Sequence, residues 1–442
     1  MSRYLFYSFL ILLQTIRLPL SFLAIVLKSL IPKLKERVDF ERKNLTQIEC
    51  ISFLKSNEKA DYCFEVSSEG ELEQVLPLIH YFLEKNNKIE LIYASSSVEK
   101  KCYQLALDYK HQLRILRLPI ASYFPINFLY FQSIWQWVSA DVIVFCRYDF
   151  YPELLLFGLF KKLILVSAAS KKMSWFKSMS FNCFDYIVAA NDSEESFFKS
   201  KQSKIKLNSF DFRIPQIFSR LDRSHLKLNK NLPLFPYLNF LENHPRENML
   251  ILGSAWRSDL VIFHEKTKWK EKLENEKFHI LVVPHSLKDS DLLALQNDLN
   301  LIFGEANVVT FSEHTDFNIV DFSNDPPSVV VLNWRGILCE LYSYFDLTYI
   351  GGGLERSIHS VLEPYLAGSK VVVTGEVSRS AEYDYLNYLA PNEIYLLKSD
   401  QSFYNLFKEI ISTIPNKNMR EKVKSEAKIK MEIIFSEISN VK

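Results

Sequence analysis

Along most of the chain, short β-rich apolar runs alternate with amphipathic stretches, which is how repeated βα units with parallel sheets read. CFEVS, IELIYAS, LRILRLP, DVIVFC, LILVSA, YIVAAN and IKLNS read as strands of a first lobe, with helices such as Glu71 to Lys85 and Pro152 to Lys161 between them. The periodicity lapses around residues 220–246 into a polar, proline-containing stretch, which reads as an interdomain connection. A second lobe follows, with strands MLILGSA, FHILVVP, VVVLN, LTYIGG, KVVVTG and EIYLLK. The expected organisation is α/β: two Rossmann-like, doubly wound domains over 38–225 and 247–415, joined by 226–246 and followed by a charged helix over 416–442. That last helix is placed to return and brace the first lobe.

The first 37 residues break this pattern. From Tyr4 to Ile31 the sequence is mostly apolar, interrupted by Gln14, Arg17, Pro19 and Lys28. A spanning helix needs about 20 predominantly apolar residues, and an arginine at its centre is disfavoured by roughly 2.5–3.5 kcal/mol on insertion scales. Arg17 therefore argues for a half-inserted helix, with spanning and interfacial modes both open. Arg3, Arg17, Lys28, Lys33, Lys35 and Arg37 against the single acid Glu36 suit anionic headgroups on a cytoplasmic face. A cleaved signal peptide fits poorly, because no small-residue cleavage site follows; a hydrophobic core helix is the other reading.

Composition narrows the classes. With 442 residues, 48% of them hydrophobic and 24% charged, the chain has material for two packed cores. Lys plus Arg number 53 against 52 Asp plus Glu, so the general electrostatic footprint of a nucleic-acid binder is missing. Cys50, Cys63, Cys102, Cys146, Cys183 and Cys339 are scattered, with no CxxC pair and no zinc spacing, and read as reduced, mostly buried thiols.

Candidate chemistry concentrates in YIGGGLERSIHSVLEPYLAGSKVVVTGE, from Tyr349 to Glu376. A strand ending in Gly351, Gly352 and Gly353 allows backbone amides to approach a phosphate, and Glu363 in the following helix can accept hydrogen bonds from ribose hydroxyls. A tight strand-to-helix turn needs no ligand, so the glycines alone do not decide. Gly336, after VVVLN, can add another phosphate-facing amide beside Arg335, or simply make a turn. Glu41 in DFERKN stands where a lipid-borne hydroxyl would arrive and is placed to take its proton as general base; a solvated surface glutamate is the plain alternative. SSEGELEQVLPLI, with Ser68, Gly70 and Glu71, lines an acceptor side or opens an ordinary capped helix. No acidic cluster of the DxD kind stands at a strand end, so no metal or other cofactor is expected.

In this order the segments resemble the Kdo transferases (3-deoxy-D-manno-octulosonic acid transferases) of lipopolysaccharide assembly. ERKN at Glu41 matches that family's ER-containing segment, SSEGE at Ser68 to Glu71 its SVGE turn, and RYDFYPELL at Arg147 to Leu155 its ETELWPNLL strand end. SAASKKMS at Ser167 falls on NARLSERS, ILGSAW at Ile251 on its ASTH strand, LVVPHS at Leu281 on VPRHP, and GGGLERSIHSVLEP on GGSLVPRGGHNPLEP. His359 and Glu363 fall on that last motif's histidine and glutamate. The resemblance implies a GT-B fold, an N-terminal membrane helix and attachment at the cytoplasmic face of the cell inner membrane. It also implies inverting transfer of Kdo from CMP-Kdo to a lipid A precursor, with Glu41 as base. The departures are specific: Arg147 stands where the family has glutamate, Ala169 and Met173 where it has arginines, Ser357 and Ile358 where it has paired glycines, and His285 where it has arginine. Two alternatives therefore stay open: transfer of another nucleotide sugar or to another acceptor, and a catalytically silent membrane-bound homologue.

Overall fold

A computed structural model describes the chain except residues 1–2, 28–29, 46–58, 121–133, 148, 171–173, 202–204, 228–232, 316, 318–319, 321, 323–325, 356, 379, 414–416 and 442. Cys50 and Met173, and the side chains of Arg17 and Lys28, lie outside the described residues. The chain forms two compact units, Met1–Gln216 with Ala427–Lys442, and Ile217–Glu426.

The first unit carries a seven-stranded sheet of β1 (Tyr62–Val66), β2 (Ile89–Tyr93), β3 (Leu113–Arg117), β4 (Val142–Cys146), β5 (Lys162–Ala168), β6 (Tyr186–Ala189) and β7 (Lys206–Ser209), in the order β3-β2-β1-β4-β5-β6-β7. All pairings are parallel; Tyr62 lies opposite Ile89 on one side and Val142 on the other. The central strands are buried along their whole length, which is why they read as continuous apolar runs and not as alternating ones. The chain winds outward from β1 to β3, then crosses back to β4 and winds the other way. The order reverses between β1 and β4, and a crevice opens there at the carboxyl ends of the strands.

The second unit repeats the plan with β8 (Met249–Ala255), β9 (His279–Pro284), β10 (Val308–Ser312), β11 (Val329–Asn333), β12 (Leu347–Ile350), β13 (Lys370–Thr374) and β14 (Ile394–Leu397), in the order β10-β11-β9-β8-β12-β13-β14. Its reversal falls between β8 and β12. β10 was not among the expected strands. It is an edge strand, only half-buried, with Thr310 and Ser312 interrupting its apolar positions, so its pattern is weaker than its neighbours'.

The helices up to the start of the second unit include α1 (Arg3–Leu27), α2 (Pro32–Arg42), α3 (Glu69–Glu84) and α4 (Arg213–Lys227). The change from first to second unit falls inside α4, at Gln216 and Ile217, a few residues before the proline-containing stretch. The terminal helix, Lys417–Ser439, changes unit in its turn: Phe435 packs 4.8 Å from the Tyr81 ring, and the Tyr186 hydroxyl donates to Glu437 at 2.7 Å.

Among the described residues no helix is long and apolar enough to cross a membrane. α1 is two-faced instead. Phe6, Tyr7 and Leu10 are buried in the core of the first unit, where the Tyr7 hydroxyl lies so close to Gly158 that a Cβ there would stand 2.2 Å from it. Arg3 is anchored to Asp185 at 3.3 Å and to the Cys183 carbonyl at 2.9 Å. Tyr4, Leu5, Ile11, Leu12, Ile16, Leu23 and Val26 remain exposed.

Candidate functional site

At the reversal point of the second unit, Ser254, the last residue but one of β8, has φ +52, a left-handed conformation unusual for a residue with a Cβ. The chain then runs through Trp256 into the short helix Arg257–Phe263, which carries Asp259. This carboxylate is fully buried and accepts from the Trp256 N–H at 2.8 Å, the Gly352 N–H at 3.2 Å and the Tyr349 hydroxyl at 3.1 Å. Burial raises its pKa, and the hydrogen bonds from Trp256, Gly352 and Tyr349 oppose that shift.

Asp259 explains the glycine triplet. A Cβ on Gly351 would stand 2.4 Å from the Asp259 carboxylate, and one on Gly353 only 1.8 Å from the Thr374 carbonyl oxygen; Gly352 has φ +99. The Gly351 N–H donates to the Gly253 carbonyl at 3.0 Å and the Gly352 N–H to Asp259. This corrects the expectation that both amides face a phosphate: in this fold they tie β12 to β8, and an acid with no place among the expected site residues sits where an anion was expected. The one available signal was its position, three residues after Trp256 at a strand-to-helix turn.

Beside this turn three rings meet, His285 stacking on both of the others. Trp256 stacks on His285 with centroids 4.6 Å apart, and His285 on His359 at 4.3 Å. The Trp256 Nε1–H points at His359 Nε2, 3.4 Å away, which leaves the proton of a neutral imidazole on Nδ1. Burial, and then the neighbouring His285, lower the pKa of His359 to about 4, so the ring is neutral near pH 7. Two expected motif positions, far apart in sequence, thus meet face to face. A cavity of about 1010 Å³ opens on the other side of the turn, lined by Leu354, Thr374, Gly375, Leu396 and Lys398 among others.

Glu363 stands in the first turn of α5 (Leu362–Ala367) and is half-buried. It is not alone. Arg220, on α4, reaches to 3.9 Å from Glu363, pairs with the buried Glu340 at 2.8 Å, and donates to the Gly336 carbonyl at 3.2 Å. Gly336 has φ +80 with no atom within 4 Å of a Cβ, so the turn, not close approach, requires glycine there. Arg220 lies far from these motifs in sequence and carries no signature of its own. Glu382, on α6 (Ala381–Leu389), closes the start of α5 by accepting from the Ser360 hydroxyl at 2.8 Å and the Val361 N–H at 3.0 Å.

In the first unit the reversal point is flanked by the turn after β1 and the end of β4. Ser68 and Glu71 form a capping box on α3: Glu71 accepts from the Ser67 and Ser68 N–H groups at 2.6 and 3.1 Å, and its own N–H donates to the Ser68 hydroxyl. Of the two readings offered for this segment, these bonds are those of the capped helix start. Gly70 has an ordinary φ and open space around a Cβ, so nothing local requires a glycine. Behind the box, Glu65 is fully buried; one carboxyl oxygen accepts from Ser67 Oγ at 2.9 Å and the other has no hydrogen-bond partner among the described residues. Burial, and then Glu71, hold its pKa well above the carboxylate range. Ser67 Oγ also lies 3.0 Å from the Tyr151 hydroxyl.

Glu41, in the last turn of α2, is not a surface glutamate. Its side chain has no exposure, and Oε1 accepts from Arg37 Nε at 2.6 Å and from the Ile120 N–H at 2.8 Å. Arg37 also donates to the carbonyls of Ala94 and Leu118, so the pair stands at the carboxyl ends of β2 and β3. Among the described residues Cys63, Cys102, Cys146, Cys183 and Cys339 are buried and form no disulfide.

No family model matches the chain. It is 24% identical over 323 residues to a 3-deoxy-D-manno-octulosonic acid transferase from Chlamydia pneumoniae, a match covering 68% of this chain and 66% of that protein. The chain thus spans just under two thirds of the length of the curated relative it matches. A glycosyltransferase from Rickettsia africae superposes with a TM-score of 0.50 at 12% identity, covering 86% of this chain and 99% of that one. A UDP-GlcNAc 2-epimerase from Neisseria meningitidis, bound to UDP-GlcNAc, gives 0.50 at 11%, covering 87% and 95%. At these identities the structures speak for the fold alone: two parallel-sheet α/β domains of the GT-B kind.

Proposed function

As a divergent relative of the Kdo transferase family on a GT-B fold, this chain is, we propose, a glycosyltransferase that moves Kdo, or a closely related sugar, from its CMP ester to a lipid-borne acceptor. The observation that carries the reading is the closure of separate family-like segments into one place: ILGSAW, LVVPHS and the glycine-to-Glu363 segment contribute Trp256, His285 and His359 to a single stack beside the glycine turn.

In this mechanism Glu363 receives the ribose hydroxyls and the neutral His359 donates its Nδ1–H to the donor phosphate. The acceptor hydroxyl loses its proton to Glu41, its oxygen forms the new bond to the anomeric carbon from the face opposite the phosphate, and CMP departs with the electron pair of the broken bond. Acceptor binding must uncover Glu41 and loosen its bond to the Ile120 N–H. No metal or other cofactor enters these steps. The exposed apolar face of α1, with exposed Lys33 and Lys35 just beyond it, supports attachment in the plane of the cytoplasmic face of an inner membrane, its other face being committed to the protein core.

The test is transfer from CMP-Kdo to a tetra-acylated lipid A precursor by detergent-solubilised full-length protein, beside Glu41→Gln. Transfer that falls by about 10²- to 10⁴-fold in the variant supports the reading, as expected for loss of a general base. Wild-type rates in the variant remove Glu41 from the chemistry. A second reading, the silent homologue, draws on Asp259 and Glu382, which occupy amides that a phosphate would otherwise use. The absence of both transfer and calorimetric binding of CMP decides for it.

A further inference from the structure

Arg220 has no part in the transfer steps, yet its guanidinium joins two carboxylates from separate segments of the second unit. Nε donates to Oε1 of Glu340 at 3.2 Å and Nη2 to Oε2 at 2.8 Å, a two-bond fork that fixes the plane of the group. Nη2 also donates to the Gly336 carbonyl at 3.2 Å, at the turn whose φ of +80 calls for glycine. The anchor of the fork is itself immobile: Glu340, on the short helix Leu338–Leu341, is only 1% exposed. With Nε and Nη2 committed in this way, the remaining nitrogen, Nη1, is the one turned toward Glu363, 3.9 Å away.

That distance decides what Arg220 can do. At 3.9 Å the contact is longer than a hydrogen bond, so the cation sets the direction of Glu363 by charge and takes no lone pair from it. The side chains of Arg220 and Glu363 are 22% and 26% exposed, so the attraction is only partly screened while the carboxylate stays within reach of a ligand. A carboxylate held in one direction in the first turn of α5 presents its oxygens to donors of fixed spacing, and the two hydroxyls of a ribose are such donors. Arg220 also cancels the buried charge of Glu340, an ordinary structural role that has to be separated from the positioning one by experiment.

We infer that Arg220 is a positioning residue for Glu363: the fork on Glu340 aims the guanidinium, and its third nitrogen turns the Glu363 carboxylate toward the 2′- and 3′-hydroxyls of a nucleotide ribose. Arg220 is thereby a determinant of ribose over deoxyribose recognition, an inference that rests on the reading of Glu363 as the ribose acceptor. Detergent-solubilised full-length protein is titrated calorimetrically with CMP and with 2′,3′-dideoxycytidine monophosphate. The wild type binds CMP about 10- to 100-fold more tightly, the range of hydrogen bonds to a charged group. Arg220→Gln combined with Glu340→Gln, which leaves no buried charge without its partner, lowers that preference to about 3-fold or less. Arg220→Lys, which keeps the charge without the fork, leaves the preference between these values. In a Glu363→Gln background Arg220→Lys has no further effect on the preference, whereas a purely structural role would change the binding of both nucleotides alike. A preference of wild-type size in either Arg220 variant, or a further loss of preference in the Glu363→Gln background, overturns the inference and leaves the ribose reading standing. Equal binding of the two nucleotides by the wild type overturns the ribose reading, and the inference with it.

Discussion

The two units open the same kind of crevice, between β1 and β4 in one and between β8 and β12 in the other, and furnish it with opposite chemistry. In the second unit Asp259 closes the glycine turn, Glu382 closes the start of α5, and Glu340 holds Arg220, so most charges have found partners inside the protein. Among the described residues of the first unit a buried acid, Glu65, is left with an unpartnered oxygen, and the guanidinium of Arg147 makes a single hydrogen bond. Topology decides where a ligand can lie; the residues at the strand ends decide what it can be.

The largest effect should come from removing the internal anion of the second unit. Asp259→Ala leaves the N–H groups of Trp256 and Gly352 without their acceptor and should destabilise that unit by about 3–5 kcal/mol in denaturant titrations that follow it separately. A loss under about 1 kcal/mol would mean that water replaces the carboxylate and that the crevice is more open than its hydrogen bonding implies. The first unit should answer in the opposite direction: Glu65→Gln should stabilise it by about 1–3 kcal/mol at pH 7, because folding no longer has to neutralise a buried acid. Destabilisation instead would show that Glu65 has a partner when the unit is folded.

Dependence on pH sharpens the same contrast. His359 is lowered to about 4 and His279 to about 3, both chiefly by burial, so the unfolded chain binds more protons than the folded one below about pH 6.5. Their contribution to stability is therefore complete above about pH 6.5 and is lost as the pH falls toward 4 and 3. Glu65 and Glu71 are raised by burial, so their contribution is complete below the ordinary glutamate range and is lost as the pH rises. Denaturant midpoints of wild type and His359→Gln between pH 7 and 4 should converge as the pH falls; parallel curves would exclude His359 as a contributor. The smallest effect is local: Ser68→Ala removes one half of the capping box and should lower the stability of the first unit by about 1 kcal/mol, seen as a shift in urea midpoint at unchanged slope.

The fold was legible to a large extent because parallel strands buried on both faces leave continuous apolar runs, as VIVFC of β4 and HILVV of β9 do. β10 escaped because an edge strand needs no such run. The site was legible only in part. The glycines and Glu363 were singled out by type and spacing and His359 through the resemblance, whereas Asp259, Arg220 and Glu382 look like any charged residue until the chain folds around them. The amides of Gly351 and Gly352 show the limit plainly: a glycine triplet after a strand says that backbones come close, and does not say what they approach.

Hydrophobic periodicity along the sequence by itself determined the two α/β lobes, most of their strands, and the location of the glycine turn, since each follows from local burial and backbone freedom. Tertiary structure alone decided that Trp256, His285 and His359 form one stack and that Asp259 fills the turn. It also decided that Glu41 is sealed against Arg37 and Ile120, and that the Arg147 guanidinium turns to the buried amide of Gln74. The reason is physical: a charged side chain takes its role from what surrounds it within a few ångströms, and those neighbours come from segments far away along the chain.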